Sequence, residues 1–197
     1  MTESSNQGDL RRIVVIVALM NLAYFGVEFT VARAIGSVSL FADSVDFLED
    51  ASVNLLIALA FGWSAVARAR VGMAMAGILL VPALSLLWVL WQKFGNPVPP
   101  DSVSLSLTGL GALAVNLTCA VLLSRHRHHS GSLTKAAFLS ARNDALANVA
   151  IIGVGVVTAY TMSVWPDVVV GLAIAAMNLD AAREVWEAAH EEHRAAS

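Results

Sequence analysis

The sequence predicts an all-α polytopic membrane protein, six transmembrane helices arranged as two inverted three-helix halves. Three observations predict it. Of 197 residues, 57% are hydrophobic and only 14% charged, where soluble domains run at about 45–50% and 25%. Mean hydropathy is +0.70, and charge-free stretches of roughly 20 residues leave no polar face to solvate. A short motif, Asp-Ala-x-x-Asn, then occurs once in each half of the chain. The net charge of -3 offers no basic face to a phosphate backbone, which excludes nucleic acid as a partner and leaves the lipid bilayer as the surroundings.

Stretches long enough to cross about 30 Å of hydrocarbon fall at Ile13–Ala34, Ser37–Val66, Val71–Trp91, Val103–Ser124, Leu133–Thr161 and Pro166–Trp186. The first ends in Ala32-Arg33-Ala34, as a cleaved signal peptide would, but Asn21 and Glu28 place polar groups inside it, unlike a short uncharged signal core. The second, fifth and sixth carry charge. Pro82 is expected to kink the third. Asn96-Pro97-Val98-Pro99-Pro100 has too few amide donors to continue a helix and divides the chain into halves of three spans. The fourth is free of charge and holds the single cysteine, Cys119, read as a small buried hydrophobe. After the sixth, Glu187, His190, Glu191 and His193 read as a solvated tail rather than a chelating set. Arg11, Arg12, Arg68, Arg70, Arg125, Arg127 and Lys135 face one side against Arg33 and Lys93 on the other, so both termini are expected to be cytoplasmic. Residues 1–12 then form a cytoplasmic tail, 13–188 the six-helix domain and 189–197 a short cytoplasmic tail.

The repeat carries the chemistry. Asp50-Ala51-Ser52-Val53-Asn54 matches Asp144-Ala145-Leu146-Ala147-Asn148, and Asn21-Leu22 and Asn116-Leu117 recur at nearly the same offset. Three spans per half is an odd number, so the second half is inverted, as in many secondary transporters with a central site. At 1.5 Å per residue Asp46 lies ~15 Å and Asp50 ~21 Å from the start of the second helix, while Ser140 lies ~9 Å and Asp144 ~15 Å along the fifth. Because the two helices run antiparallel, Asp46 falls level with Asp144 near the midplane and Asp50 level with Ser140. Spacing of i and i+4 groups Asp46, Asp50 and Asn54 on one face, and Ser140, Asp144 and Asn148 on another, with Asp43 close by. Burying such carboxylates costs at least ~2.5–3.5 kcal/mol each at a helix centre, so they imply a cation, protons or a basic partner. Helix–helix ion pairing through Arg142 is the structural alternative, but Asp43, Asp46, Glu49, Asp50 and Asp144 outnumber that one arginine.

These segments resemble the cation diffusion facilitator family of divalent-metal/proton antiporters, over nearly the whole chain. NLAYFGVEFTVARAIGSVSLFADSVDFLEDASVN, from Asn21 to Asn54, is similar to that family's first two helices. KAAFLSARNDALANVAIIGVGVV resembles its fifth and WPDVVVGLAIAAMNLDAAREVWEAA its sixth. In the family, H/D-x-x-x-D on the second helix and H/D-x-x-x-D on the fifth form a tetrahedral transport site. The resemblance assigns that role to Asp46, Asp50 and Asp144, with Ser140 in the fourth position. It departs from the pattern there, since a neutral hydroxyl is a weak ligand. It departs also in length, reading as a compact form without the cytoplasmic metal-sensing domain.

Secondary candidates are Asp43, Asn54, Asn148 and Glu28, the last lining a vestibule or pairing with Arg33. His126, His128 and His129 occupy the loop where the family often carries a histidine-rich segment; polar filler in a basic loop is the alternative. Asp180, with Asn178, reads as structural. An oxygen-only ligand set leans towards Mn²⁺ or Fe²⁺ over Zn²⁺ or Cd²⁺, within a Mn, Fe, Zn, Co or Cd class of divalent cation.

The resulting expectation is a homodimeric exporter of a divalent metal cation in exchange for protons, in a bacterial inner or plasma membrane. It needs no cofactor and is not an enzyme, because no histidine lies inside a span and no nucleophile sits beside a base. The alternative is a non-transporting membrane subunit, or a metal-responsive partner, with a degraded site.

Overall fold

The computed structural model describes residues 2–60, 84, 86–124 and 131–177, and every element among them is helical. In chain order these are α1 (Thr2–Ile35), α2 (Val38–Ala60), α3 (86–95), α4 (Ser102–Ser124), α5 (Gly131–Thr161) and α6 (Trp165–Met177). Gly8–Ile35, Ser102–Ser124 and Ser140–Thr161 are each long and apolar enough to cross a membrane, and Trp165–Met177 is a shorter apolar helix. The fold is that of an all-α polytopic membrane protein. α4 and α5 begin within two residues of the predicted starts, whereas α1 starts at Thr2, so the residues read as a tail before Ile13 continue its helix. α3 likewise runs on past Trp91 to residue 95. The predictions resting on Pro82, on His126, His128 and His129, on Asn178 and Asp180, and on Glu187, His190, Glu191 and His193 lie outside the described residues.

Local chemistry sets the turns. Gly36 has φ +65°, a conformation open to glycine without a Cβ penalty, and Ser37 N donates back to Ala32 O at 3.0 Å to close the end of α1. Ser37 then caps α2, its Oγ accepting Leu40 N at 3.2 Å. After the proline segment, Asp101 caps α4 through Oδ1 to Ser104 N at 2.8 Å. The Ser104 hydrogen bonds stabilise the ionised carboxylate of Asp101 and lower its pKa. α5 closes at Met162, φ 50°, and Pro166 occupies the first turn of α6, where its missing N–H costs nothing.

α1 packs mainly on α2 and α4 mainly on α5, with lighter contacts from α1 to α4 and from α2 to α5. Near the α1–α2 turn a shared core draws Ala32, Phe41, Leu86, Leu105, Ile151 and Val168 from all six helices, with Phe29 edge-on to Phe41 at 5.3 Å. A second cluster, Val17, Cys119, Ala120, Leu123 and Ala141, joins α1, α4 and α5 towards the other end. Cys119 is fully buried. Leu19, Leu107, Leu146 and Val169 lie 60–66% exposed on the outside, an apolar exterior suited to lipid rather than water.

Candidate functional site

α2 and α5 run antiparallel through the bundle, and their acids meet there. Ser140 Oγ donates to Asp50 Oδ1 at 3.0 Å and lies 3.5 Å from Asp144 Oδ2. Asp46 shares the same electrostatic neighbourhood as Asp144, Asp43, Glu49 and Asp50. Asp46, Asp50, Ser140 and Asp144 are all half-buried, so the group is reachable by small polar species. Among the described residues no three carboxyl, imidazole or thiol groups are drawn tightly enough to hold one ion; at this level the hydroxyl of Ser140 bridges the two helices.

One helical turn towards the α1–α2 turn the environment changes. Glu28 and Asp43 are both fully buried and their carboxyl groups face each other across the α1–α2 contact. Neither oxygen of Glu28, nor Oδ1 of Asp43, meets a hydrogen-bond donor among the described residues. Asp43 Oδ2 accepts Asn148 Nδ2 at 2.5 Å, and Asn148 Oδ1 accepts Asn116 Nδ2 at 3.0 Å, so a buried amide chain runs from α4 through α5 to α2. Tyr24 lies within electrostatic range of Glu28 and Asp43 and spends its proton on Thr108 O at 2.6 Å.

The two copies of Asp-Ala-x-x-Asn use their side chains differently. Asn54 Nδ2 turns back to Asp50 O at 2.8 Å, serving its own helix, while Asn148 crosses to Asp43. The earlier asparagines follow the repeat: Asn21 Nδ2 lies 3.5 Å from Asp50 Oδ2, and Asn116 reaches Asn148. Each half thus docks an asparagine from its first helix on the motif of its second. Sequence reading singled out Asn116 as a repeat marker and Asn21 as a repeat marker and a polar group inside the first span, without giving either a partner, and it passed over Tyr24 and Asp167. For Tyr24 the available signal was its place one turn before Glu28 on the same helix face.

Arg142, the basic partner in the ion-pair alternative, is exposed, and its guanidinium reaches Asn143 Oδ1 at 3.5 Å. Glu28, buried and turned to Asp43, stands apart from the exposed Arg33. Asp43, Asp50 and Asp144 are therefore served by amide and hydroxyl groups, and the carboxylate, hydroxyl and amide oxygens gathered there suit cations bound through oxygen.

Compared with known protein families, residues 14–190 match the cation efflux transmembrane domain. A search of curated proteins found no match.

Proposed function

Because that match spans most of the chain, the protein belongs to the cation diffusion facilitator family, a family of membrane metal-cation transporters, and we propose that it is a divalent-metal/proton antiporter. The observation that supports this reading is the Ser140 hydroxyl on α5 reaching both Asp50 on α2 and Asp144, with Asp46 one turn from Asp50 and all four half-buried inside an apolar bundle. Ligation requires deprotonated carboxylates, so a metal entering from the cytoplasm displaces protons from Asp46, Asp50 and Asp144. Rocking of the halves then turns the site to the other side, where returning protons help release the metal. Ser140 contributes a hydroxyl, and water completes the shell. Such oxygen ligands favour Mn²⁺ and Fe²⁺ among the transition metals. The transporter works as a homodimer in the bacterial inner or plasma membrane, with both termini in the cytoplasm.

Metal-driven proton flux in proteoliposomes tests the proposal, with Mn²⁺, Fe²⁺, Zn²⁺, Co²⁺ and Cd²⁺ presented to wild type and Asp50→Ala side by side. Wild type should move protons against metal, and Asp50→Ala should lose at least about 100-fold of that flux, as for a charge that ligates the cargo directly. Identical flat traces for both proteins would remove active transport, and metal uptake indifferent to a pH gradient would remove the antiport.

A further inference from the structure

Asp167, in the first turn of α6, is fully buried and belongs to neither group of acids at the centre. Its Oδ1 accepts Ser37 Oγ at 2.7 Å, Ser39 Oγ at 2.7 Å and Ser39 N at 3.1 Å; its Oδ2 accepts Val38 N at 2.8 Å. Val38 N and Ser39 N are leading amides of α2, which have no acceptor within their own helix, and a carboxylate there also meets the positive end of the helix dipole. A residue 130 positions away from Ser37 therefore completes the cap of the helix that carries Asp46 and Asp50.

Packing holds the same junction. Gly171, one turn further along α6, brings the two backbones so close that a Cβ would lie 2.7 Å from Val38 C and Ser39 N. Lys93, from the end of α3, donates to Val98 O and stands as the cationic neighbour of Asp167. At the Asp50 level, by contrast, α2 and α5 are linked by the Ser140 hydroxyl on a half-exposed carboxylate. Parting α2 from α6 would strip a dry carboxylate of all four donors at once. Parting α2 from α5 at Asp50 trades one hydrogen bond for water.

Resting on the transport reading above, we propose that Asp167 is a positioning residue: it pins the first turn of α2 to α6 throughout the cycle, so that the site opens by a swing of α2 about Ser37–Ser39. That end of α2 is a pivot, not a gate.

The test exchanges the hydrogen bonds for a bond that can be made and broken. Ser39→Cys with Asp167→Cys is reconstituted and assayed for Mn²⁺ transport, reduced and oxidised. The pivot predicts a reduced form at least ~10-fold slower than wild type and an oxidised form that regains most of the rate, with half-saturating Mn²⁺ within ~3-fold throughout. An oxidised form slower than the reduced one makes this end a gate and overturns the proposal. So does a pair that fails to cross-link, or a stable variant that is inactive in both states. Amide hydrogen exchange needs no transport: Val38 and Ser39 should be protected in wild type and exchange at least ~10-fold faster in Asp167→Asn, and unchanged exchange also overturns the proposal. A wild type that moves no metal while showing that exchange difference sinks the transport reading and the swing together, leaving Asp167 as a cap.

Discussion

Glu28 and Asp43 face each other as acceptors, and among the described residues one donor serves the pair, Asn148 on Asp43 Oδ2. An unmet buried polar group costs about 1–3 kcal/mol, more when charged. Glu28→Gln keeps the shape of the side chain and brings an N–H₂ that can donate to Asp43 Oδ1, the oxygen that meets no donor among the described residues. Glu28→Gln should therefore raise the thermal unfolding midpoint of the purified protein in detergent, by an amount equivalent to about 1–3 kcal/mol. A lower midpoint would mean that a bound cation or a shared proton already satisfies the pair. The accessible acids behave differently. Asp46, Asp50 and Asp144 are half-buried, so water can serve their free lone pairs and removing one charge relieves less.

At the scale of elements, the α2–α6 junction depends on a missing side chain. A Cβ on Gly171 meets backbone atoms of Val38 and Ser39 at 2.7 Å, and backbone cannot rotate away as a flexible side chain can. Gly171→Ala should destabilise the protein by about 1–3 kcal/mol, the usual penalty for overpacking. Gly153, on α5, has nothing within 4 Å of its would-be Cβ, so Gly153→Ala should be neutral or stabilising by about 0.5–1 kcal/mol through helix propensity. Chemical unfolding of the two variants beside wild type measures both, and equal effects would mean that α6 retreats from α2 at little cost. The same elements show what a sequence can reveal. The bounds of α4 are legible because an uncharged apolar run stands between a proline loop and a basic segment. The level pairing of Asp50 with Ser140 is legible because two antiparallel helices have one fixed rise. The α2–α6 clamp is not, since no period in the chain relates Asp167 to Ser37 and Ser39. Its only trace is an acid after Pro166 at the start of an apolar helix. The split between Asn54, which serves its own backbone, and Asn148, which crosses to Asp43, is equally hidden, because both occupy the same place in the repeat.

For the whole molecule, the polar centre is graded from one end to the other. Towards the α1–α2 turn lie the dry groups, Glu28, Asp43, Asn148 and the Asp167 clamp; beyond them, along α2, the acids become half-exposed. On the transport reading proposed above, described residues that are dry at one end and wetter at the other would present the proposed site to one side of the membrane at a time, which alternating access requires. Single cysteines placed in a Cys119→Ser background, Cys119 itself being buried, can read this grading with a membrane-impermeant thiol reagent. Ser140→Cys should react from one face only, and with the termini placed in the cytoplasm, as proposed above, that face is the cytoplasmic one, exposed in inverted vesicles and hidden in intact cells. Asp43→Cys should react at least ~10-fold more slowly from either face, because its side chain is fully buried towards the pinned end of α2. Mn²⁺ should slow the reaction at Ser140→Cys by occupying the acids beside it. Equal reaction of both positions from both faces would describe an open channel, and a channel cannot couple one flux to another.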